Sequence, residues 1–310
     1  MITTGKIWII LNPTAGKGKA ATQYPRIERF LKERGETYEF FLTKGPGDAI
    51  ELARNLPLGD SDITVAAGGD GTCNEVVNGL LTRPEPLSSP PLLGILPIGR
   101  GNDFAYAPGI PNDMEKALEI LIRRNTRYLD AGFVKGGFFP EGRYFVNGVG
   151  IGFDTQVGFD AAKMKHVQSG IAYAFGAITN IVRYAPPPVL RVRYDGQEMT
   201  LPATIFSVMN GRRMGGSFYM GPNALLDDGQ LDFCTVRHPK SRMRLIQLVA
   251  RYTKGTQGEC PEVAMGRASQ FHITALEGGM AAHADGETLC YDGKELEISC
   301  KPGVLRLIGA

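Results

Sequence analysis

A short glycine-rich segment with a single carboxylate constrains this chain more than any other feature. Residues 68–72 (GGDGT) follow the apolar run 63–67, which is typical of a buried strand. Thr72 and Glu75 have the spacing of a capping box, so a helix is predicted to begin at Thr72. Glycines at such a turn let backbone N–H groups approach an anion, and a helix N-terminus favours negative charge. The segment therefore predicts an α/β sheet with a phosphate-sized anion site at one strand end.

Asp70 adds a second constraint, because a carboxylate repels a bare phosphate. A Mg²⁺ ion, or a water bound to one, between carboxylate and phosphates would reconcile the two, which predicts phosphoryl transfer. The sequence contains no G-x-x-x-x-G-K-[ST] motif, and Gly69 and Gly71 lack the third glycine of the dinucleotide fingerprint. A tight strand-to-helix turn capped by Asp70, without a ligand, remains the alternative at this point.

Composition narrows the classes of protein. A length of 310 residues suits two domains, and 43% apolar residues exclude a disordered chain. Five cysteines without a C-x-x-C pair argue against zinc and a disulfide framework, and indicate a reducing cytoplasm. A net charge of +2 argues against a dedicated nucleic-acid binder. We see no signal peptide, and the apolar stretch 171–182 is too short to span a bilayer.

The pattern along the chain changes near residue 130. Up to there, strand and helix signals alternate, which predicts a mostly parallel sheet with helices on both faces. The strands are predicted at 6–11, 38–43, 63–67, 93–96 and 127–133, and the helices at 23–34, 48–56, from 72 and at 112–124. We therefore expect a nucleotide-binding α/β domain over residues 1–130, with the tail 302–310 packed back on it.

Beyond residue 130, most of the signals are short strands separated by glycines. They predict an antiparallel β-sandwich over residues 131–301. The strands are predicted at 144–149, 189–194, 200–209, 231–236, 270–275 and 295–300, with helices around 159–183 and 241–253. A ligand site is expected in a cleft between the two domains.

Two further loops follow predicted strands. Residues 12–19 (NPTAGKGK) combine glycines with two lysines, which suits phosphates, although an ordinary basic loop has the same composition. Residues 97–105 (PIGRGNDFA) offer a second carboxylate, Asp103. Asp70 and Asp103 at two strand ends of one sheet suit a shared metal, and the alternative is a helix cap at Asn102 or Asp103.

Taken together, NPTAGKGK, AGGDGTCNEVVNGL and LPIGRGNDFA resemble the catalytic domain of the diacylglycerol kinase family. The resemblance is strongest to its bacterial lipid kinases and continues through residues 147–154 (NGVGIGFD), 210–211, 215–216, 222–224, 227–232 (DDGQLD) and 285–287 (DGE). It implies a nucleotide domain related to phosphofructokinases and NAD kinases, and ATP-dependent phosphorylation of a lipid hydroxyl.

The resemblance assigns roles to positions of this sequence. Asp70 would act through Mg²⁺, with Asp103 and Asp130 supporting the metal through water. The residues implied to bind ATP are Asn12, Thr43, Gly68, Gly69, Asp70, Gly71, Thr72, Glu75, Gly99 and Asn102.

In the second half, Glu287 matches the general base of the family, although Asp285-Gly286 is also a standard hairpin turn. Asp228, with the carbonyls of Leu225 and Gln230, matches a structural Mg²⁺ site, and the alternative is a plain Asp-Gly turn.

One position departs from the family. Arg100 stands where the family usually has a threonine that contacts nucleotide. A guanidinium can pair with a phosphate, fold back onto Asp103 or partly block the pocket.

A lipid substrate requires access to a membrane surface. The basic run 237–244 leads into an apolar helix, and Lys163, Lys165 and His166 precede the apolar segment from Ile171. Both patterns are typical of interfacial elements, and equally of solvated helices whose apolar side lies in the core.

The sequence thus predicts a cytoplasmic lipid kinase, peripheral on the inner face of the membrane, that uses ATP and Mg²⁺. Diacylglycerol is the expected acceptor, while phosphatidylglycerol, a sphingoid base or a polyprenol fits the same chemistry. The alternatives are an enzyme similar to NAD kinase and a weakly active lipid-binding regulatory protein. A homodimer is implied by the resemblance alone.

Overall fold

The computed structural model describes residues 5–163, 179–183 and 186–309. The chain forms two compact units. Unit 1 contains Met1–Ala131, Leu226–Asp228 and Lys301–Ala310, and unit 2 contains Gly132–Leu225 and Gly229–Cys300.

Unit 1 alternates strands and helices. Its elements are β1 (Ile7–Leu11), α1 (Lys19–Glu33), β2 (Tyr38–Leu42), α2 (Asp48–Asn55), β3 (Ile63–Gly68), α3 (Asp70–Leu81), β4 (Leu92–Pro97), α4 (Asp103–Tyr106) and α5 (Met114–Arg123), followed by the start of β5 (Thr126–Gly136). The strands β2, β1, β3 and β4 are neighbours in this order and run parallel.

The buried strands of unit 1 explain this sheet. Every residue of β1, β3 and β4 is buried, as expected for parallel strands that helices cover on both faces. The last strand of the chain, β15 (Glu295–Ile308), pairs parallel with β4 at Arg306 and Leu92. The carboxyl ends of β3 and β4 therefore lie side by side, where ligands of such sheets bind.

Unit 2 is built from antiparallel strands. It contains β6 (Phe139–Phe145), β7 (Gly148–Gly152), α6 (Phe153–Lys163), β8 (Val189–Tyr194), β9 (Gln197–Met209), β10 (Leu231–Arg237), α7 (Arg242–Tyr252), a 3₁₀ turn (Gln257–Glu259), β11 (Val263–Ala268), β12 (Gln270–Glu277), β13 (Met280–Ala284) and β14 (Glu287–Gly293). Residues 179–183 are helical.

Large side chains fill the core of unit 2. Phe206 of β9 stacks on Phe233 of β10 with ring centroids 6.1 Å apart, and Phe271 of β12 meets Phe233 edge-on. All three are buried, so the aromatic cluster stabilises the central strands. The parallel unit and the antiparallel unit confirm the predicted fold class.

Several predicted boundaries are wrong for identifiable reasons. The segment 144–149 is not one strand: β6 ends at Phe145 and β7 starts at Gly148. Between them, the carboxylate of Asp285 accepts the backbone N–H groups of Val146 and Asn147, which interrupts the ladder. Helix α6 begins at Phe153 rather than Phe159, and most of the segment 159–183 lies outside the described residues. Strands β11, β13 and β14 were not predicted.

In the part of the chain that the structure describes, no helix combines the length and the apolar character needed to cross a membrane.

Candidate functional site

Two glycine turns meet at the carboxyl ends of β3 and β4. The carbonyl oxygen of Gly68 accepts the N–H groups of Ile98 at 2.7 Å and Gly99 at 3.1 Å. A Cβ atom placed on Gly99 would lie 2.4 Å from the Cα of Gly69. Since no side chain fits there, glycine is required for the two turns to touch.

Asp70 and Asp103 flank the second of these turns. Oδ1 of Asp70, at the start of α3, accepts the backbone N–H of Phe104 at 3.1 Å. A Cβ atom on Gly101 would lie 3.1 Å from Oδ2 of Asp70 and 3.4 Å from Oδ2 of Asp103. Both carboxylates therefore face the same backbone position, as the sequence predicted for these two strand ends.

The environment of Asp70 favours a cation. Burial raises the pKa of Asp70, while backbone N–H groups of Phe104, Asp103 and Asn102 oppose this by stabilising the ionised form. A nearby metal ion would offset the cost of the buried charge.

The donor set fits Mg²⁺. Among the described residues, no group of three or more His, Cys, Asp or Glu side chains gathers as a metal site. The two carboxylates that face Gly101 suit Mg²⁺, which one or two carboxylates commonly bind while water and substrate phosphates complete its shell.

The loop after β1 packs against this site. Asn12 donates through Nδ2 to Oγ1 of Thr72 at 3.2 Å, and its Oδ1 accepts the N–H of Thr14. Gly16 has a φ of +61°, and a Cβ atom there would lie 2.4 Å from the carbonyl oxygen of Ile98. The structure thus brings Asn12 and Thr72 together with the two glycine turns.

Glu75 does not form the predicted capping box. Helix α3 begins at Asp70 rather than Thr72. Its N-cap residue is Gly69, which has no side chain to cap the helix. Glu75 instead accepts the backbone N–H groups of Gly47 at 2.9 Å and Ala49 at 3.2 Å, at the start of α2. The carboxylate is engaged there because those N–H groups have no partner within their own helix.

Two other predicted positions, Thr43 and Asn102, have clear local surroundings. The N–H of Thr43 donates to the carbonyl of Leu11 at 3.0 Å, so the end of β2 continues the ladder to β1. Asn102 has a φ of +51° and donates to the carbonyl of Gly99 at 3.2 Å, which holds the second turn. Arg100 is exposed.

Asp130 is a buried residue with backbone partners. Its Oδ1 accepts the N–H of Gly303 at 2.8 Å, and its own N–H donates to the carbonyl of Leu226 at 2.7 Å. These contacts hold the two later segments of unit 1, Leu226–Asp228 and Lys301–Ala310, to β5. The sequence did not indicate this role. The residues predicted for a structural metal lie in the loop before β10, where Leu225 and Gln230 are exposed and Asp228 is half-buried.

In unit 2, Asp285 and Gly286 form the predicted two-residue hairpin turn. Their φ angles are 49° and 89°, and Ala284 pairs with Glu287 across the turn. The carboxylate of Asp285 also accepts the N–H of Gly148 at 2.8 Å, in addition to those of Val146 and Asn147. The turn that carries Glu287 is therefore fixed by three charge-assisted hydrogen bonds. Sequence reasoning missed this role of Asp285.

The fold and the site define a class of two-unit proteins, in which an α/β unit carries glycine turns and carboxylates at one sheet edge and the other unit is antiparallel. Residues 6–134 match the family model "Diacylglycerol kinase catalytic domain". Residues 147–309 match "YegS C-terminal NAD kinase beta sandwich-like domain".

A diacylglycerol kinase of Staphylococcus aureus (strain bovine RF122 / ET3-1) is 32% identical over 288 residues, which are 92% of this chain and 86% of that protein. The chain therefore belongs to the diacylglycerol kinase family, a family of lipid kinases.

Solved structures agree with this assignment. A Bacillus anthracis protein solved as a candidate diacylglycerol kinase is 25% identical, with a TM-score of 0.76 and coverage of 100% of this chain and 99% of that chain. Yeast NADH kinase in complex with NADH has a TM-score of 0.50 at 10% identity, covering 100% of this chain and 84% of that one. The second similarity concerns the fold alone.

Proposed function

We propose that this protein is an ATP- and Mg²⁺-dependent lipid kinase that transfers the γ-phosphate to the hydroxyl of diacylglycerol and forms phosphatidic acid. The observation that carries the proposal is the position of Asp70 and Asp103 around Gly101, directly beside the touching turns at Gly69 and Gly99. Carboxylates next to glycine turns combine metal binding with close approach of phosphates.

The nucleotide phosphates bind at residues 68–72, where backbone N–H groups and the N-terminus of α3 favour an anion. Asn12 and Thr72, which are hydrogen-bonded to each other, line the same turn. When bound, Mg²⁺ neutralises charge on the transferred phosphoryl group. Asp70 would hold the ion, and Asp103 and Asp130 would support it through water.

Glu287 accepts the proton of the attacking lipid hydroxyl. Its place directly after a rigid turn supports this role, because a general base must be held in a defined position. The separate site at Asp228, with the carbonyls of Leu225 and Gln230, is proposed as a structural Mg²⁺ site.

Diacylglycerol is proposed as the acceptor because the Staphylococcus aureus relative is named diacylglycerol kinase. Helix α7 supports contact with a lipid surface: Met243 and Ile246 are 64% and 45% exposed, while Leu245 and Leu248 are buried in the core. Lys240 and Arg242 at its start are exposed, which suits anionic lipid. We therefore propose a cytoplasmic protein, peripheral on the inner membrane face.

The test is transfer of labelled γ-phosphate from ATP to acceptors in mixed micelles with Mg²⁺. The panel contains diacylglycerol, phosphatidylglycerol, sphingosine, a polyprenol and NAD⁺. We expect labelling of diacylglycerol, a loss of about 10²–10⁴-fold in kcat for Glu287→Ala, and unchanged ATP binding in that variant. Glu277→Ala, at an exposed position of unit 2, serves as the matched control.

Each result is decisive. Labelling of NAD⁺ instead of a lipid would show an enzyme similar to NAD kinase. ATP binding without labelling of any acceptor would contradict diacylglycerol as the substrate and would exclude the other acceptors of the panel. A Glu287→Ala variant with wild-type kcat would remove Glu287 from the mechanism.

A further inference from the structure

Unit 2 contains an acid–imidazole pair whose carboxylate oxygens are buried. Asp154, in the first turn of α6, faces His283 of β13, with Oδ2 and Nε2 3.9 Å apart. The side chains are 16% and 12% exposed, respectively. Neither carboxylate oxygen of Asp154 has an aligned hydrogen-bond partner among the described residues. Burial of a carboxylate without hydrogen-bond partners costs free energy, because the charged form loses its hydration.

Gly150 makes space for this pair. It lies directly opposite His283 in the ladder between β7 and β13. A Cβ atom at Gly150 would lie 2.2 Å from Oδ2 of Asp154 and 2.7 Å from Nε2 of His283. The strand therefore allows the carboxylate and the ring to approach each other only because this position is glycine.

The other side of the imidazole contacts the hairpin turn. The backbone N–H of Gly286 donates to Nδ1 of His283 at 3.3 Å. Nδ1 must therefore carry a lone pair, so the proton of the neutral ring is on Nε2, toward Asp154. Asp154, His283 and Gly286 form a chain of contacts that ends one residue before Glu287.

We propose that His283 is a positioning residue: Asp154 holds its ring in the Nε2–H form, and its Nδ1 fixes Gly286 and thereby orients Glu287. The catalytic consequence rests on the proposed role of Glu287 as the general base. The arrangement follows a general rule, in which the hydrogen bond at one ring nitrogen sets the state of the other.

The protonation states agree with this geometry. Burial lowers the pKa of His283 to about 4, so the ring is neutral at physiological pH. Burial raises the pKa of Asp154 to about 7, against weak opposition from nearby backbone N–H groups. Ionisation of Asp154 near neutral pH then strengthens its attraction for the Nε2–H group.

The neighbouring titratable groups do not take the Nε2 proton of His283. Cys234 of β10 and Tyr252 of α7 interact with Asp154, and burial raises the pKa of both, that of Cys234 to about 11. Burial also raises the pKa of Cys290 of β14. On the hairpin, Asp285 is held by backbone N–H groups, and Glu287 follows the turn.

The direct test is the ¹⁵N NMR spectrum of histidine-labelled wild-type protein, with the His283 signal assigned by its absence in His283→Asn. We expect the Nε2–H tautomer at pH 7.5 and no protonation of the ring down to about pH 5. An Nδ1–H tautomer or an imidazolium at pH 7.5 would overturn the proposal. The tautomer and protonation state are read from the wild-type protein, and the His283→Asn spectrum serves only to assign the signal.

Two variants separate the contacts of the ring. Asparagine places a carbonyl near the position of Nδ1, so His283→Asn keeps an acceptor for Gly286 and is expected to retain most of the kcat. His283→Gln removes that acceptor and is expected to lower kcat by about 10–100-fold, because small misplacement of a catalytic group is costly. The KM for ATP is expected to stay unchanged, and thermal unfolding confirms that both variants fold. Wild-type kcat in His283→Gln would contradict the proposal.

The pH profile tests Asp154. We expect the kcat of the wild type to rise through about pH 7 and that of Asp154→Asn to lack this rise. An identical profile in the two proteins would exclude the role of Asp154.

The failure of this inference differs from the failure of the proposed function. If Glu287→Ala keeps wild-type activity, the base assignment fails, while the tautomer still reports on the contacts among Asp154, His283 and Gly286. If Glu287→Ala is inactive and His283→Gln is fully active, only the positioning role fails.

Discussion

The carboxylate of Asp130 accepts the backbone N–H of Gly303 at 2.8 Å, although the two residues are 173 positions apart in sequence. Asp130 lies in β5 and is only 2% exposed. Gly303 lies in β15, with a φ of +58°, three residues before the position where that strand joins the parallel sheet of unit 1. This hydrogen bond ties the last strand of the sheet to a strand formed much earlier in the chain.

Two variants, Asp130→Ala and Asp130→Asn, distinguish the hydrogen bond to Gly303 from the proposed metal role of Asp130. Asp130→Ala leaves the N–H of Gly303 without its partner, so we expect a loss of about 1–3 kcal/mol in the free energy of unfolding. Asp130→Asn keeps an acceptor oxygen and is expected to retain most of the stability but to require more Mg²⁺ for full activity. Urea unfolding and a Mg²⁺ titration of kinase activity measure the two effects. An unchanged Mg²⁺ requirement in Asp130→Asn would remove this residue from the metal network.

Gly99→Ala is expected to damage nucleotide binding. The new Cβ atom would lie 2.4 Å from the Cα of Gly69, so the two turns must move apart. We expect at least a tenfold weaker affinity for ATP, corresponding to about 1.4 kcal/mol, measured by equilibrium binding. Gly158→Ala is the matched control, because a Cβ atom there has no neighbour within 4 Å and α6 gains a better helix former. Equal affinity in Gly99→Ala and the control would show that contact between the turns is not needed.

The pattern of glycines and apolar runs was sufficient to predict the parallel unit and the position of Asp70 and Asp103 at neighbouring strand ends, because both follow from local strand-to-turn chemistry. The metal that these carboxylates are predicted to share stays a prediction. The split between β6 and β7 was not predictable, since it depends on Asp285, more than 130 residues later in the sequence. The capping box of Thr72 and Glu75 was wrongly predicted for the same reason, because the partners of Glu75 are at the start of a different helix, α2. Contacts between distant segments override a local capping pattern.

The ion pair between Arg244 and Glu262 is expected to stabilise unit 2 in a pH-dependent manner. Two hydrogen bonds of 2.8 Å from Arg244 hold the pKa of Glu262 at about 2, below its ordinary value of 4.5. A lowered pKa in the folded state means that the stabilisation is complete above pH 4.5 and is lost as the pH falls toward 2. Glu262→Gln is therefore expected to lower the free energy of unfolding by about 1 kcal/mol at pH 7, with a smaller difference at pH 3.

The control for this prediction is Glu259→Gln. Glu259 pairs with Arg251 at 2.6 Å, but their side chains are 67% and 47% exposed. Exposed pairs contribute little, so we expect a change below about 0.5 kcal/mol. Denaturant unfolding at pH 7 and pH 3 measures both variants. Equal effects of the two substitutions would contradict the explanation by partial burial.

Helix α7 is expected to mediate binding to anionic lipid. Met243→Glu adds a negative charge next to the exposed Lys240 and Arg242, so we expect weaker sedimentation with vesicles of phosphatidylglycerol and phosphatidylcholine. Leu276→Glu is the control, at an exposed apolar position of β12. If Leu276→Glu reduces binding as much as Met243→Glu, the effect is one of net charge rather than of α7.

The exposed residues of α7 that are proposed to contact lipid could be predicted only in part from the sequence. The basic run before α7 is less available than its composition indicated, because Arg244 is engaged with Glu262. The other basic segment, with Lys165 and His166, lies outside the described residues. Which apolar residues of α7 face outward depended on how the helix packs: Leu245 and Leu248 are buried, whereas Met243 and Ile246 are exposed.

The discontinuity of unit 1 has a consequence for biosynthesis. Its parallel sheet includes the end of β15, while the intervening chain, apart from Leu226–Asp228, belongs to unit 2. A ribosome therefore completes unit 2 before it supplies the strand that pairs with β4. Domains commonly fold in the order of synthesis, but here the first unit to emerge is the last to be finished. Until β15 is synthesised, β4 is therefore an exposed edge of the unit 1 sheet, with unpaired backbone groups that another strand could join.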